Sequence, residues 1–160
     1  MSVRRIAVVA LAIFAVSATV AIAAESGPYR GHTQGLYFSS AGEGHYRQAK
    51  IAFNVVGGNH ITNLRWEIRV ECADDTHKSY VIKPSGFLTL NEDGKFAGRV
   101  ATPGGTGFDR ISGRIRGDRA SGAVSRTIKL GAGGTESAGG QSCSSGRVEY
   151  KAHEIDPQGE

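Results

Sequence analysis

The nine residues LRWEIRVEC, Leu64 to Cys72, constrain the fold more than any other stretch of the chain. Leu64, Trp66, Ile68, Val70 and Cys72 fall on one side of an extended strand, and Arg65, Glu67, Arg69 and Glu71 on the other. Only a period of two separates those sets; a helix, with 3.6 residues per turn, would mix them. The pattern predicts a half-buried β-strand whose apolar face contributes roughly 1.5–3 kcal/mol per large side chain taken out of water. The alternating charges on the other face read as solvated, with cross-strand pairing as their ordinary use.

Other segments repeat the form. KIAFNVV places Ile51, Phe53 and Val55 on one side, and Gly57-Gly58-Asn59 turns the chain into the strand that holds Trp66, as a hairpin. FLTLNEDGKFAGRVA reads as a second hairpin, with Leu88 and Leu90 before an Asn91–Gly94 turn and Phe96 and Val100 after it. SYVIK, ahead of Pro84, suits a short edge strand. RVEYKAHE alternates Val148, Tyr150 and Ala152. In ISGRIRGDRASGAV, Ile111, Gly113 and Ile115 face one way and Ser112, Arg114 and Arg116 the other, before Gly117-Asp118 turns the chain back. The Arg116-Gly117-Asp118 tripeptide, an adhesion motif in other settings, is accounted for by turn chemistry at this tip. The chain has 23 glycines and only four prolines, which suits many strands and tight turns better than helices. The expected class is all-β: one antiparallel β-sandwich or small β-barrel of about eight short strands.

The first 23 residues are set apart. MSVRRIAVVALAIFAVSATVAIA has a basic start at Arg4 and Arg5, an apolar run from Ile6, and the small-x-small ending Ala21-Ile22-Ala23. That is the pattern of a secretory signal peptide, and residues 24–160 are then the mature domain. An uncleaved anchor is the other reading of so apolar a run. No later run is apolar enough to cross a bilayer as a helix, so the released chain is expected to have no membrane partner. Of 19 basic and 15 acidic residues, two basic ones lie in the leader, which leaves the remainder nearly neutral. Interspersed signs on such a chain argue against nucleic acid as a partner.

Two cysteines, Cys72 and Cys143, in an exported chain point to a disulfide rather than two separate buried thiols. A bridge closing a loop of about 70 residues would contribute roughly 4 kcal/mol by chain entropy. Two stretches read as mobile: Ser39 to Gln48, a polar loop, and residues 131–142, GAGGTESAGGQS, a flexible glycine-rich loop.

Local chemistry is sparse. The five histidines, His32, His45, His60, His77 and His153, show no metal-ligand spacing. Asp74-Asp75 and Asn91–Gly94 read as turns rather than calcium loops. There is no Gly-x-Ser-x-Gly elbow, and the glycine-rich stretch lacks the phosphate-loop Gly-Lys-Ser/Thr. No catalytic residue, metal or cofactor is assigned. The aromatics Tyr29, Tyr37, Phe38, Tyr46 and Tyr80, in or near polar segments, offer the best opening for binding. Tyr37, Phe38 and Tyr46 are the candidate ligand-binding residues.

YRGHTQG near residue 29, a strand ending in a cysteine, ISGRIRGDRASGAV and CSSGRVEYKA together resemble a group of small exported bacterial proteins of the actinobacterial type, of unknown function. Their motifs run Tyr-x-Gly-x-Thr-x-Gln-Gly, Ile-x-Gly-x-Ile-x-Gly and Cys-x-Ser-Gly-x-Val. The resemblance spans Tyr29 to Ala152, and the present chain departs from it in the inserted SSAGEGHYRQAK. It implies export, a β-fold and a Cys72–Cys143 bridge, and nothing catalytic.

These readings lead to a non-catalytic exported module that binds a cell-envelope glycan, a small ligand or an extracellular protein. Two alternatives stand beside it. One is a secreted hydrolase with dispersed groups such as His32, His45 or Asp109, which would need one concave pocket to collect them. The other is a secreted protease inhibitor acting through a projecting loop.

Overall fold

The computed structural model describes residues 24–38 and 45–156. The leader assigned to residues 1–23 and most of the Ser39–Gln48 loop lie outside them. Ten strands follow in order: β1 (Gly27–Phe38), β2 (Tyr46–Val56), β3 (His60–Cys72), β4 (His77–Ile82), β5 (Leu88–Thr89), β6 (Lys95–Ala101), β7 (Gly107–Arg116), β8 (Arg119–Leu130), β9 (Gln141–Ser144) and β10 (Val148–Glu154). The count exceeds the expected eight, chiefly because β5 and β9 are very short. The described residues contain no α-helix, only single 3-10 turns at Pro103–Gly105 and Ala132–Gly134. No helix among them is long and apolar enough to cross a membrane.

All pairings between these strands are antiparallel, and six strands close on themselves in the order β10, β1, β2, β3, β9, β8, with β8 returning to β10. Of the two architectures expected, the protein is thus the small barrel. Strands β7 and β6 extend the sheet beyond β8, and β4 and β5 pair with β3. The closure depends on how β3 is shared. Trp66 pairs with both Ile51 of β2 and Ile82 of β4, so those strands lie on opposite edges of β3. Glu71 pairs with both His77 of β4 and Ser144 of β9. Strands β2 and β9 therefore occupy successive stretches of the same edge, and the wall of the barrel has a seam between Trp66 and Glu71.

The alternation of Leu64–Cys72 is realised. Leu64, Trp66, Ile68, Val70 and Cys72 are all buried. Its phase is set by a bulge: Ala52 pairs with Arg65 but Asn54 with Thr62, so Asn63 and Leu64 oppose the single residue Phe53. Asn63 takes φ 51°, a left-handed conformation that asparagine tolerates better than most residues. The bulge lets Ile61 and Leu64, three apart, both face inward.

Trp66, Tyr29, Tyr150 and Phe53 are the largest of the fully enclosed side chains, and they fill the barrel. Tyr29 stacks on Phe53 with ring centroids 5.1 Å apart, and its hydroxyl donates to the Gly117 carbonyl at 2.8 Å. Tyr150 lies over Gly122 and Gly113; a Cβ on Gly113 would come within 2.2 Å of its hydroxyl oxygen. A second apolar cluster of Val70, Ile128 and Leu130 surrounds the Cys72–Cys143 disulfide, whose cysteines are register partners on β3 and β9. The bridge rivets the ladder that closes the barrel.

Three local expectations change. Leu88 and Thr89 pair with β3 while β6 pairs with β7, so Asn91–Gly94 is a true turn but does not join a hairpin ladder. The glycine-rich stretch is a succession of hydrogen-bonded turns: Gly131 N–H donates to Thr135 O at 2.7 Å and Ser137 N–H to Lys129 O at 3.0 Å, and Gln141 and Ser142 already belong to β9. Glu67, assigned to a solvated face, is 4% exposed. The hairpin at Gly117-Asp118 forms as expected, with Arg116 opposite Arg119 and φ 56° at Gly117.

Candidate functional site

The free end of the β1–β2 hairpin carries the three candidate residues together. Phe38 and Tyr46 are register partners, their ring centroids 5.2 Å apart and tilted by 54°. Both are exposed, at 41% and 55%, and Leu36 on the same face of β1 is 52% exposed. Tyr37, on the opposite face, pairs with Arg47, whose guanidinium lies 4.9 Å from the tyrosine ring centroid. Arg69 of β3 lies 5.2 Å from the ring centroid of Tyr46. The Phe38 N–H donates to the Ser79 hydroxyl of β4 at 3.1 Å, which ties the end of the hairpin to the neighbouring strand.

Glu67 anchors this arrangement from the seam. The register of β2 on β3 stops at Trp66, and the next backbone donor on β2, Lys50 N–H, goes to the Glu67 carboxylate at 2.9 Å. Arg47 closes on the same carboxylate with two nitrogens, at 2.6 and 2.7 Å. Burial pushes the Glu67 carboxyl up, but the Arg47 and Lys50 hydrogen bonds and the Arg47 and Arg65 charges outweigh it, and the group sits below its ordinary range. A bidentate pair of this kind holds a guanidinium in one orientation. Arg47 is thereby presented to Tyr37 as a fixed cation. No motif announced the pair, because its members are twenty residues apart and meet only where β2 leaves β3.

The other two aromatics are placed differently. Tyr29, expected on the surface, is fully buried, and its phenol is pushed up to about 12 by burial and by the Glu154, Glu25 and Asp118 charges. Its ring was needed inside: position 29 faces the core in register with Phe53. Tyr80 is partly buried under Arg126, whose guanidinium is 4.1 Å from its ring centroid.

A second ionic node lies inside. Asp109 and Arg126 are cross-strand partners on β7 and β8, and one Arg126 nitrogen donates to both Asp109 oxygens at 2.8 and 3.1 Å. The other terminal nitrogen reaches Glu136, at 3.1 Å, in the glycine-rich segment. Burial holds the Asp109 carboxyl above its ordinary value despite Arg126. Both carboxylate oxygens are engaged by the guanidinium, so Asp109 acts as a clamp between strands. His32, named with Asp109 as a dispersed catalytic group, is exposed on the outer surface between Lys50 and Lys151. His45 is exposed immediately before β2. Among the described residues, no group of three or more His, Cys, Asp or Glu side chains could hold a metal ion.

The Leu36–Phe38–Tyr46 surface offers ring faces and ring edges beside the Arg69 guanidinium. Such a surface stacks on the apolar face of a sugar or anchors the hydrophobic centre of a protein interface, with arginine nitrogens at its rim to donate hydrogen bonds. No protein-family model matches the chain, and no curated protein matches it in sequence.

Proposed function

We propose that the protein is an exported, non-catalytic binding module that engages a cell-envelope glycan through the aromatic end of its β1–β2 hairpin. The observation that carries this reading is the exposed Phe38–Tyr46 pair, backed by Arg69 and joined by Leu36 on one outer face. Exposed rings tilted against each other give a sugar two stacking surfaces. A small ligand inside the barrel is disfavoured, because Trp66, Tyr29, Tyr150 and Phe53 occupy the interior. An extracellular protein docking on the same rings is the competing partner.

Export is part of the proposal. The leader-like pattern of residues 1–23, the disulfide, and the resemblance to small exported bacterial proteins support it together. Mass spectrometry of the protein recovered from outside the cytoplasm is expected to find a chain beginning at or near Ala24; an uncleaved chain would overturn that part.

The binding reading is tested by co-sedimentation of the purified protein with isolated, protein-free envelope glycan. The expected result is retention of the wild type and at least about tenfold weaker retention of Phe38→Ala/Tyr46→Ala, since each lost stacking contact costs about 1 kcal/mol or more. Both side chains are exposed, so the variant should keep the wild-type melting temperature. Equal retention of the two proteins, or none of either, would overturn the reading.

A further inference from the structure

The strand registers bring eight of the chain's 19 lysines and arginines, with two histidines, into two adjacent rows on the outside of the barrel. The first row runs Arg65, Ala52, Arg30, His153, Arg119, Arg116, each residue the register partner of the next across six strands. The second, two residues along, runs Lys50, His32, Lys151, Ser121, Arg114, Lys95. The twelve positions include no acidic residue and no aromatic ring other than the two imidazoles. All lie on the outward face; ten are exposed, and Ala52 and Arg114 are half-buried.

Acidic groups touch only the margins. Glu67 is held by Arg47 and lies 3.9 Å from Arg65, Asp93 lies 3.1 Å from Lys95 and 4.0 Å from Arg114, and Asp118 lies 3.9 Å from Arg119. Among the described residues no ion pair within 4.0 Å engages Arg30, Lys50, Lys151 or Arg116. Open grooves of about 890 and 560 Å³ run along this face and meet at His153. The near-neutral balance of residues 24–160 hides this segregation, which exists only once the strands are paired.

Like charges placed directly opposite on neighbouring strands destabilise a sheet, and Arg116 faces Arg119 in that way. A bound polyanion would convert that repulsion into attraction. The shape of the face narrows the class of polyanion. Strand spacing of about 4.8 Å makes each row roughly 24 Å long, and strand twist bends it around a convex wall. A stiff duplex would touch such a curve at few points. Single-stranded nucleic acid binds through aromatic platforms for its bases, and neither row supplies one. A flexible chain with charges at intervals and no bases fits both restrictions.

We infer that this two-row face binds a linear acidic polysaccharide. The inference goes beyond the Phe38–Tyr46 reading and does not rest on it, since it uses other residues and another force. The two sites share the outer surface of β1 and β2. Lys50 and Tyr46 are four residues apart on one strand face, about 13 Å.

The test measures binding of the purified protein to heparin (sulfated), polygalacturonate (carboxylated), neutral dextran, and duplex and single-stranded DNA of matched charge. It is run at about 50 mM NaCl, where exposed charges are weakly screened. Expected are binding of heparin, polygalacturonate or both, no binding of dextran, and a loss of affinity of at least about tenfold for Arg30→Glu/Lys151→Glu. A control with the same change in net charge off the face, Lys83→Glu/Lys129→Glu, should stay within about twofold. Arg30→Gln/Lys151→Gln, which places no new acid in the rows, should show an intermediate loss and keep the wild-type melting temperature. Failure of both acidic polysaccharides to bind, equal losses in the face and control variants, or DNA bound as tightly as either polysaccharide would overturn the inference. Phe38→Ala/Tyr46→Ala should bind heparin or polygalacturonate like the wild type, so failure of one site is distinguishable from failure of the other.

Discussion

Arg126 and Asp109 face each other across the β7–β8 ladder, 2.8 Å apart and both buried, and Arg126 also holds Glu136 at 3.1 Å. Arg126 thus joins β8 to β7 through Asp109 and to the glycine-rich turns through Glu136. Desolvating two charges offsets most of their attraction, but leaving one of them alone is costly. Arg126→Met should therefore destabilise by about 3–5 kcal/mol in urea unfolding, through an orphaned Asp109. Asp109→Leu/Arg126→Met should recover part of that loss, because it removes both charges at once. A double variant as damaged as the sum of its singles would show that the two groups act independently.

Glu67 gives the fold a defined response to acid. Its carboxyl sits below the ordinary value of 4.5, so the folded state holds the proton less tightly than the unfolded chain. The stability this contributes is fully present above that ordinary value and is lost as pH falls through the depressed one. Glu67→Gln should cost about 1–3 kcal/mol near neutral pH, where hydrogen bonds to a charged group are removed. The difference from wild type should shrink steadily below about pH 4.5. Chemical denaturation at several pH values would measure it, and a difference that stayed constant with pH would contradict the assignment.

The disulfide joins residues 71 apart in sequence. In the chain-entropy account a loop of that length contributes about 4 kcal/mol. Cys72→Ser/Cys143→Ser should lower the unfolding free energy by about that amount, and reducing agent should have no further effect on the variant. Because β3 and β9 meet here at only two register pairs, proteolysis of the variant should begin near β9.

How much of this was legible in the sequence depended on whether a signal was local. Strand β3 announced itself because its inward residues alternate without interruption from Leu64. The β2–β3 and β7–β8 hairpins did so because Gly57-Gly58 and Gly117-Asp118 sit between alternating runs. The Cys72–Cys143 bridge followed from an even count in a chain with a leader-like start. Tyr37, Phe38 and Tyr46 could be named as a group because they flank one loop. What could not be read was set by pairing between distant strands. Tyr29 looks like any surface tyrosine until β1 is placed against Phe53. Glu67 looks solvated until β2 leaves β3 and its carboxylate fills the seam. The basic rows are dispersed over seven strands, and their signs look mixed along the chain while the sheet sorts them.

The reading of a non-catalytic glycan-binding surface is tested most directly by titrating the isotope-labelled protein with soluble envelope-glycan fragments. Amide and sugar NMR signals would be followed in the same samples. The account predicts shift changes centred on Leu36, Phe38 and Tyr46, with the sugar signals broadened but chemically unchanged over days. New reducing-end anomeric signals, or shift changes gathered around Asp109 and Arg126 instead of the hairpin end, would contradict it.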